Sequence, residues 1–292
     1  MRAFSLLNMR TWFQLIFLFL HLVSRAQVIH GKVIDKTTGQ TLPYASIGFH
    51  NKNAGGIANR DGTFSIDISQ TDSKDSLLIS YIGYAGTSLS LAGLNAATDL
   101  TVGLSPMPKR LPEVAVMGKR QMIAIGNIKY NSHFTGWGDY SSSRGRLRGL
   151  MIPPKEYPVR VVEFGCHIKH NTFDSVKVRL HILEFHGDSL PTKELLHDNI
   201  YLVIPRNAKW VSIDLNPFNI VISDTIVLAV EWVDAWSPMA EPGEESHLFT
   251  FSEANAAGYV YVRDYPHDKR ALIPYTETPA MYLHAYRTGK SQ

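Results

Sequence analysis

Between residues 29 and 83 apolar side chains recur at every second position and turn residues interrupt them at short intervals, which is the period of a half-buried strand and not of a helix. Ile29, Gly31 and Val33 share one face, as do Ala45, Ile47 and Phe49, then Phe64, Ile66 and Ile68, then Leu77, Ile79 and Tyr81; Leu100, Val102 and Leu104 add a last set. Strands this short bury such faces by packing one sheet on another. Lys36-Thr37-Thr38-Gly39 and Asn59-Arg60-Asp61-Gly62 supply the turns between them. The pattern predicts a β-sandwich over 28–105.

Pro106, Pro108 and Pro112 then stiffen a linker over 106–122, because proline fixes its own backbone and withholds a ladder hydrogen bond. Within it, 111–117 reads as one strand-like piece. A second set of alternating segments follows at 159–168, 175–185, 210–215, 225–233, 247–252, 259–264 and 281–287. They predict a second sandwich, jelly-roll-like, over 123–288. Segment 225–233 is apolar on both faces and belongs at a sheet centre. Residues 193–197 read as a brief helical turn, and Trp210 and Trp232 as core. The fold class is all-β throughout.

Residues 1–26 have the form of a secretory signal: Arg2 and Arg10, an apolar run over 12–23, and Ser24-Arg25-Ala26 at the exit. The run is shorter than the roughly 20 apolar residues of a spanning helix, so the mature protein is expected to be exported and not membrane-spanning. The full chain has 29 Lys and Arg against 26 Asp and Glu, but three of the arginines lie in this acid-free leader, which leaves 26 of each sign. A balanced chain gives no electrostatic ground for nucleic-acid binding. The basic run Ser143-Arg144-Gly145-Arg146-Leu147-Arg148 reads as a solvated loop. Cys166, the single cysteine, permits no intrachain disulfide, and on an alternating strand it faces away from His167. It reads as a buried structural residue.

The first half resembles the carboxypeptidase regulatory-like domain, a transthyretin-like sandwich of exported proteins of the Bacteroidetes. The resemblance rests on Gly31-Lys32-Val33-Ile34-Asp35, the Gly39 turn, Leu42-Pro43-Tyr44-Ala45-Ser46-Ile47, Asp61-Gly62-Thr63-Phe64-Ser65-Ile66 and Leu78-Ile79-Ser80-Tyr81-Ile82-Gly83-Tyr84. It implies a non-catalytic accessory module. Leu111-Pro112-Glu113-Val114-Ala115-Val116 is similar to the stretch that follows this module in TonB-dependent receptors, but the residues after Gly118 are too few for a plug and about 22 membrane strands. The second half is similar to the C-terminal region of small two-domain proteins that carry the module, on Leu195-Leu196-His197-Asp198-Asn199-Ile200, Trp210-Val211-Ser212-Ile213-Asp214-Leu215 and Ala229-Val230-Glu231-Trp232.

Catalytic constellations are weak. His181 and Glu184, with His284 far downstream, have the residue types of a zinc peptidase, yet residues three apart on a strand project to opposite faces and cannot share a metal. Twelve histidines contain no HExxH, no His-x-His and no cysteine pair, and neither a Gly-x-Ser-x-Gly elbow nor a phosphate-binding glycine loop is present. Asn59-Arg60-Asp61-Gly62 offers too few oxygens for calcium. No catalytic, cofactor or metal residue is assigned. Aromatic side chains are the better candidates for ligand contact: Trp137 and Tyr140 in a glycine-rich segment, and Trp236 past a strand end. The expected function is binding or scaffolding in the periplasm or at the outer membrane, with envelope proteins or glycans as partners; glycan binding by the second sandwich is the alternative, and metallopeptidase activity a remote third.

Overall fold

The computed structural model describes residues 28–50, 52–94, 99–108, 121–137, 143–153, 158–187, 193–237, 248–267 and 270–287. The leader and segment 111–117 lie outside them. In the first unit, Val28–Asp35 pairs antiparallel with Thr63–Asp67 and parallel with Leu100–Pro106, and Tyr84–Ala85 completes a four-stranded sheet. The opposing sheet sets Ser46–Phe49 between Gly55–Ile57 and Ser76–Ser80, with Thr87–Ser90 at its edge. The alternating residues of the sequence meet between these sheets: Ile29, Val33, Ala45, Ile47, Phe49, Phe64, Ile66, Leu77, Ile79, Val102 and Leu104 are all buried in one cluster.

The second unit is a larger pair of sheets. In the eight-stranded one, Val159–Asn171 runs between Phe249–Ala254 and Met281–Arg287, with Phe134–Trp137 and Met122–Gly126 at the two ends. In the seven-stranded one, Ile226–Trp236 lies between Ser175–Glu184 and Leu147–Ile152, followed by Gly258–Arg263 and Arg270–Tyr275. The apolar segment at 225–233 thus occupies the sheet interior. Phe164, Ile168, Val178, Leu180, Leu228, Trp232, Phe249 and Phe251 fill the space between the sheets. No helix among the described residues is long and apolar enough to cross a membrane.

Two local expectations are corrected. Lys193–Glu194 is a strand paired with Leu183 and Glu184, not a helical turn, because the neighbouring edge offers its backbone ladder partners. The basic run at 143–148 is not a solvated loop. Ser143 and Leu147 are buried, Leu147–Ile152 is a strand, and Arg144 reaches the carbonyl oxygen of Ala58 and the amide oxygen of Asn59 in the first sandwich.

Candidate functional site

The two sandwiches meet across a seam of buried charge. On Ser175–Glu184 alternation sends Val176, Val178, Leu180 and Ile182 into the core, and sends Arg179 and His181 to the other face. Arg179 stands directly opposite Glu231 of the neighbouring strand, and both are buried, at 1% and 0% exposure. Arg179 donates from Nε to Glu231 Oε2 at 2.7 Å, from Nη1 to the Tyr44 carbonyl at 3.0 Å and to Asn199 Oδ1 at 3.1 Å, and from Nη2 to Ser46 Oγ at 3.2 Å. Glu231 also contacts Arg263 Nη2 at 3.2 Å and His181 Nε2 at 3.1 Å, while His181 Nδ1 meets Glu194 Oε2 at 2.7 Å. A buried charge without a partner is strongly unfavourable; here each of these charges is met by partners, and two of those of Arg179, the Tyr44 carbonyl and the Ser46 hydroxyl, belong to the other sandwich.

A bulge extends the seam. The register of Ser175–Glu184 on Ile226–Trp236 shifts between Lys177 and Val178, leaving Val233 as the extra residue. The bulge re-aims Asp234 from the core side to the first sandwich, where it accepts from the Tyr44 hydroxyl at 2.8 Å and pairs with the Arg60 guanidinium. Tyr44 has φ of 62°, an unfavourable region for a bulky side chain, and both its carbonyl and its hydroxyl are held by the second sandwich. Nearby, Asn199 Nδ2 donates to the Ile82 carbonyl at 3.0 Å, and a Cβ on Gly83 would stand 2.4 Å from the His197 carbonyl. Only glycine allows that approach.

Beside this network the seam opens into a cavity of about 570 Å³. Ser80, Tyr81 and Tyr84 line it from the first sandwich and Lys193, His197 and Arg263 from the second, with Arg179 and His181 in its wall. Burial disfavours the charged form of His181, but its hydrogen bonds to Glu194 and Glu231 outweigh burial and raise its pKa. Burial likewise opposes ionisation of Glu231, and Arg179, His181 and Arg263 overcome it, bringing its pKa down to about 2. The contribution of Glu231 to stability is present above its ordinary value of 4.5 and is lost as pH falls toward about 2. That of His181 is complete below its ordinary value of 6.5 and fades as pH rises through its higher folded value. Thermal midpoints across pH are therefore expected to decline on the alkaline side in the wild type and to stay flatter there in His181→Gln; parallel profiles would refute the charged imidazole.

The outer face of the eight-stranded sheet carries a second feature. Tyr130 stacks on His167 at 3.6 Å and meets Trp210 edge-on at 6.0 Å; Trp210 in turn lies 5.6 Å from Tyr282. Tyr282 donates to Glu163 Oε1 at 3.0 Å, the oxygen that also contacts His284 Nδ1 at 3.0 Å. The Tyr282 ring rests on Gly165, where a Cβ would fall 2.3 Å from it. Tyr130 and Trp210 are 52% and 41% exposed. The core position expected for Trp210 is thus corrected: among the described residues its strand, Trp210–Asp214, pairs only with Val159–Asn171, and Trp210, Ser212 and Asp214 form its open face.

The aromatic residues singled out from sequence are distributed differently. Trp137, expected to contact ligand, is 2% exposed and packs among Trp232, Phe249 and Phe251, so its ring is no surface platform. The strand Phe134–Trp137 pairs with Phe249–Ala254 and carries Trp137 into the core. Tyr140 lies outside the described residues. Trp236 is half-buried, with the Arg60 guanidinium 4.1 Å over its ring. His181, Glu184 and His284 are not brought together: His181 is held by Glu194 and Glu231, Glu184 by Lys193, and His284 by Glu163 on the other sheet. Cys166 is buried and its thiol pKa is pushed up by desolvation. His133, Glu253 and Glu277, by contrast, bring metal-ligating atoms within 4.8 Å of one another. No spacing motif marks them, since His133 and Glu277 are 144 positions apart.

A family model described as the CarboxypepD_reg-like domain matches residues 29–116. No curated protein matches the chain. Among solved structures, a chain from "Structure of infectious bursal disease virus Gt strain" aligns with 89% of this chain at 12% identity and a TM-score of 0.24. This chain spans 60% of the length of that one, and a likeness at this level carries no argument. Residues 29–116, with their paired four-stranded sheets, belong to the CarboxypepD_reg-like domain family, joined here to a second β-sandwich that the family model does not cover.

Proposed function

We propose that this chain is an exported, non-catalytic cell-envelope protein that acts as a binding or scaffolding module, and that the cavity at the seam is where it takes its ligand. The observation that carries this reading is the joint construction of the cavity: Ser80 and Tyr84 come from the CarboxypepD_reg-like domain, His197 and Arg263 from its neighbour, and the two domains are fixed by buried charges that cannot separate cheaply. A preformed concave site with aromatic walls and a few convergent polar groups is what ligand binding requires. A photo-reactive residue at Ser80 or at His197 should give the same discrete adduct in the native envelope, and one at the remote Val221 should give none. Uncross-linked protein from both seam positions would overturn the reading.

Glycan binding by the second sandwich is a further reading, now supported by Tyr130, Trp210 and Tyr282 and no longer by Trp137 or Trp236. The exposed Tyr130 and Trp210 rings, beside the part-buried Tyr282 with the Glu163 carboxylate and the His284 imidazole, offer stacking and hydrogen bonding together, the combination that suits a sugar. On a glycan array Trp210→Ala should then lose binding that the wild type shows. An array with no wild-type binding removes this reading and leaves the seam untouched.

A further inference from the structure

We infer that His133, Glu253 and Glu277 form a binding site for a divalent transition-metal ion of the zinc type. The three come from separate parts of the second sandwich: His133 precedes Phe134–Trp137, Glu253 is on Phe249–Ala254, and Glu277 sits between Arg270–Tyr275 and Thr278–Pro279. Their ligand atoms lie within 4.8 Å of one another. Tetrahedral ligands at a zinc-like distance of about 2.1 Å stand about 3.4 Å apart, so side-chain adjustments of about 1 Å would close the site. His133 Nδ1 already approaches Glu277 Oε2 at 2.6 Å.

The backbone and the surrounding amides hold this arrangement. Asn131 N donates to the Glu253 carbonyl at 2.8 Å and Glu253 N to the His133 carbonyl at 3.1 Å, which locks the histidine segment to the glutamate strand. Asn131 Nδ2 donates to Glu277 Oε1 at 2.7 Å and leaves Oε2 turned toward His133. Asn127 Nδ2 binds Thr278 Oγ1 at 2.8 Å and the Pro279 carbonyl at 2.9 Å, fixing the chain beside Glu277. Amides that hydrogen-bond to the ligating carboxylate or to the chain beside it orient the ligands of metal sites in this way. The two carboxylates face each other while part-buried, an arrangement whose repulsion a cation between them would relieve.

The donor set decides the class of ion. One imidazole nitrogen with two carboxylates suits zinc and its first-row neighbours, whereas calcium takes six to eight oxygens and no imidazole. With His133 largely exposed, its side chain at 67%, a further coordination position faces solvent.

Calorimetric titration of the full mature protein with Zn²⁺ in a non-chelating buffer tests the site, with X-ray absorption on the loaded protein. The wild type should bind an equivalent that His133→Ala and Glu277→Gln each weaken by at least about tenfold, and the absorption spectrum should contain one imidazole shell with oxygen at about 2.0–2.2 Å. Should either variant fail to fold, Glu253→Gln serves instead: removing one of two facing charges should leave the metal-free thermal midpoint unchanged or higher, while Zn²⁺ affinity still falls by about tenfold or more. Equal affinity and stoichiometry in wild type and folded variants, or no Zn²⁺ binding by the wild type, would overturn the assignment.

Discussion

Arg179→Met is expected to cost about 3–5 kcal/mol of unfolding free energy, because it leaves a buried anion without its principal counter-charge. Glu231 would remain fully enclosed, facing His181 and Arg263, and the Tyr44 carbonyl and Ser46 hydroxyl would lose the donor that reaches them from the other sandwich. The methionine side chain approximates the aliphatic volume of arginine, so most of the loss reflects charge and hydrogen bonding and little of it an empty space. Glu231→Leu on top of Arg179→Met should recover part of the stability, since the enclosed anion is removed; His181 keeps Glu194, while it and Arg263 lose the Glu231 carboxylate, so recovery is incomplete. Equilibrium denaturation of the four members of the cycle measures the coupling. A single variant that loses under about 1 kcal/mol, or a double variant no better than the worse single one, would show that this network does not hold the seam.

Trp137→Ala should be of similar size, about 3–5 kcal/mol, as for other large-to-small changes at a fully packed aromatic position. The ring stacks parallel to Phe249 at 5.6 Å with an interplanar angle of 1° and meets Trp232 and Phe251 at 5.9 and 5.4 Å. Removing it opens a cavity in the larger core. Trp210→Ala, at a position 41% exposed on the outer face, should change stability by no more than about 1 kcal/mol. Trp137→Phe should cost clearly less than Trp137→Ala, because phenylalanine keeps most of the ring packing and has no N–H to satisfy, whereas Trp137 Nε1 is buried without a hydrogen-bond partner among the described residues. Near-equal destabilisation by Trp137→Ala and Trp210→Ala would contradict this assignment of core and surface.

The exchange of roles between these two tryptophans shows where sequence reading succeeds and where it stops. Period-two alternation placed the first sandwich, because each of its core residues is set by its own strand: Val33, Ile47, Ile66 and Ile79 are buried where alternation expects them. Trp210 is misplaced in the core by a reading of its strand alone, although the signal for its surface position is local: it shares a strand face with Ser212 and Asp214, and that polar company marks the solvent side. Trp137 was not. Its neighbourhood has loop composition, and its burial depends on pairing with Phe249–Ala254, far along the chain. Arg179 and His181 fall on one face by simple alternation, but nothing local says that another sandwich covers that face. Asp234 was further obscured by the bulge at Val233, which reverses the parity that alternation assumes. His133, Glu253 and Glu277 follow no spacing at all; only the paired backbones bring them together.

The seam has a consequence for how the molecule can be divided. The family model ends at residue 116, yet a cut there would leave Arg179 and Asp234 facing water on one fragment, and Tyr44, with its unfavourable backbone angle, unsupported on the other. Recurrence of a module across proteins and autonomy within one are separate properties. Here the second has been traded for a shared wall, so the two halves should melt as a single cooperative body.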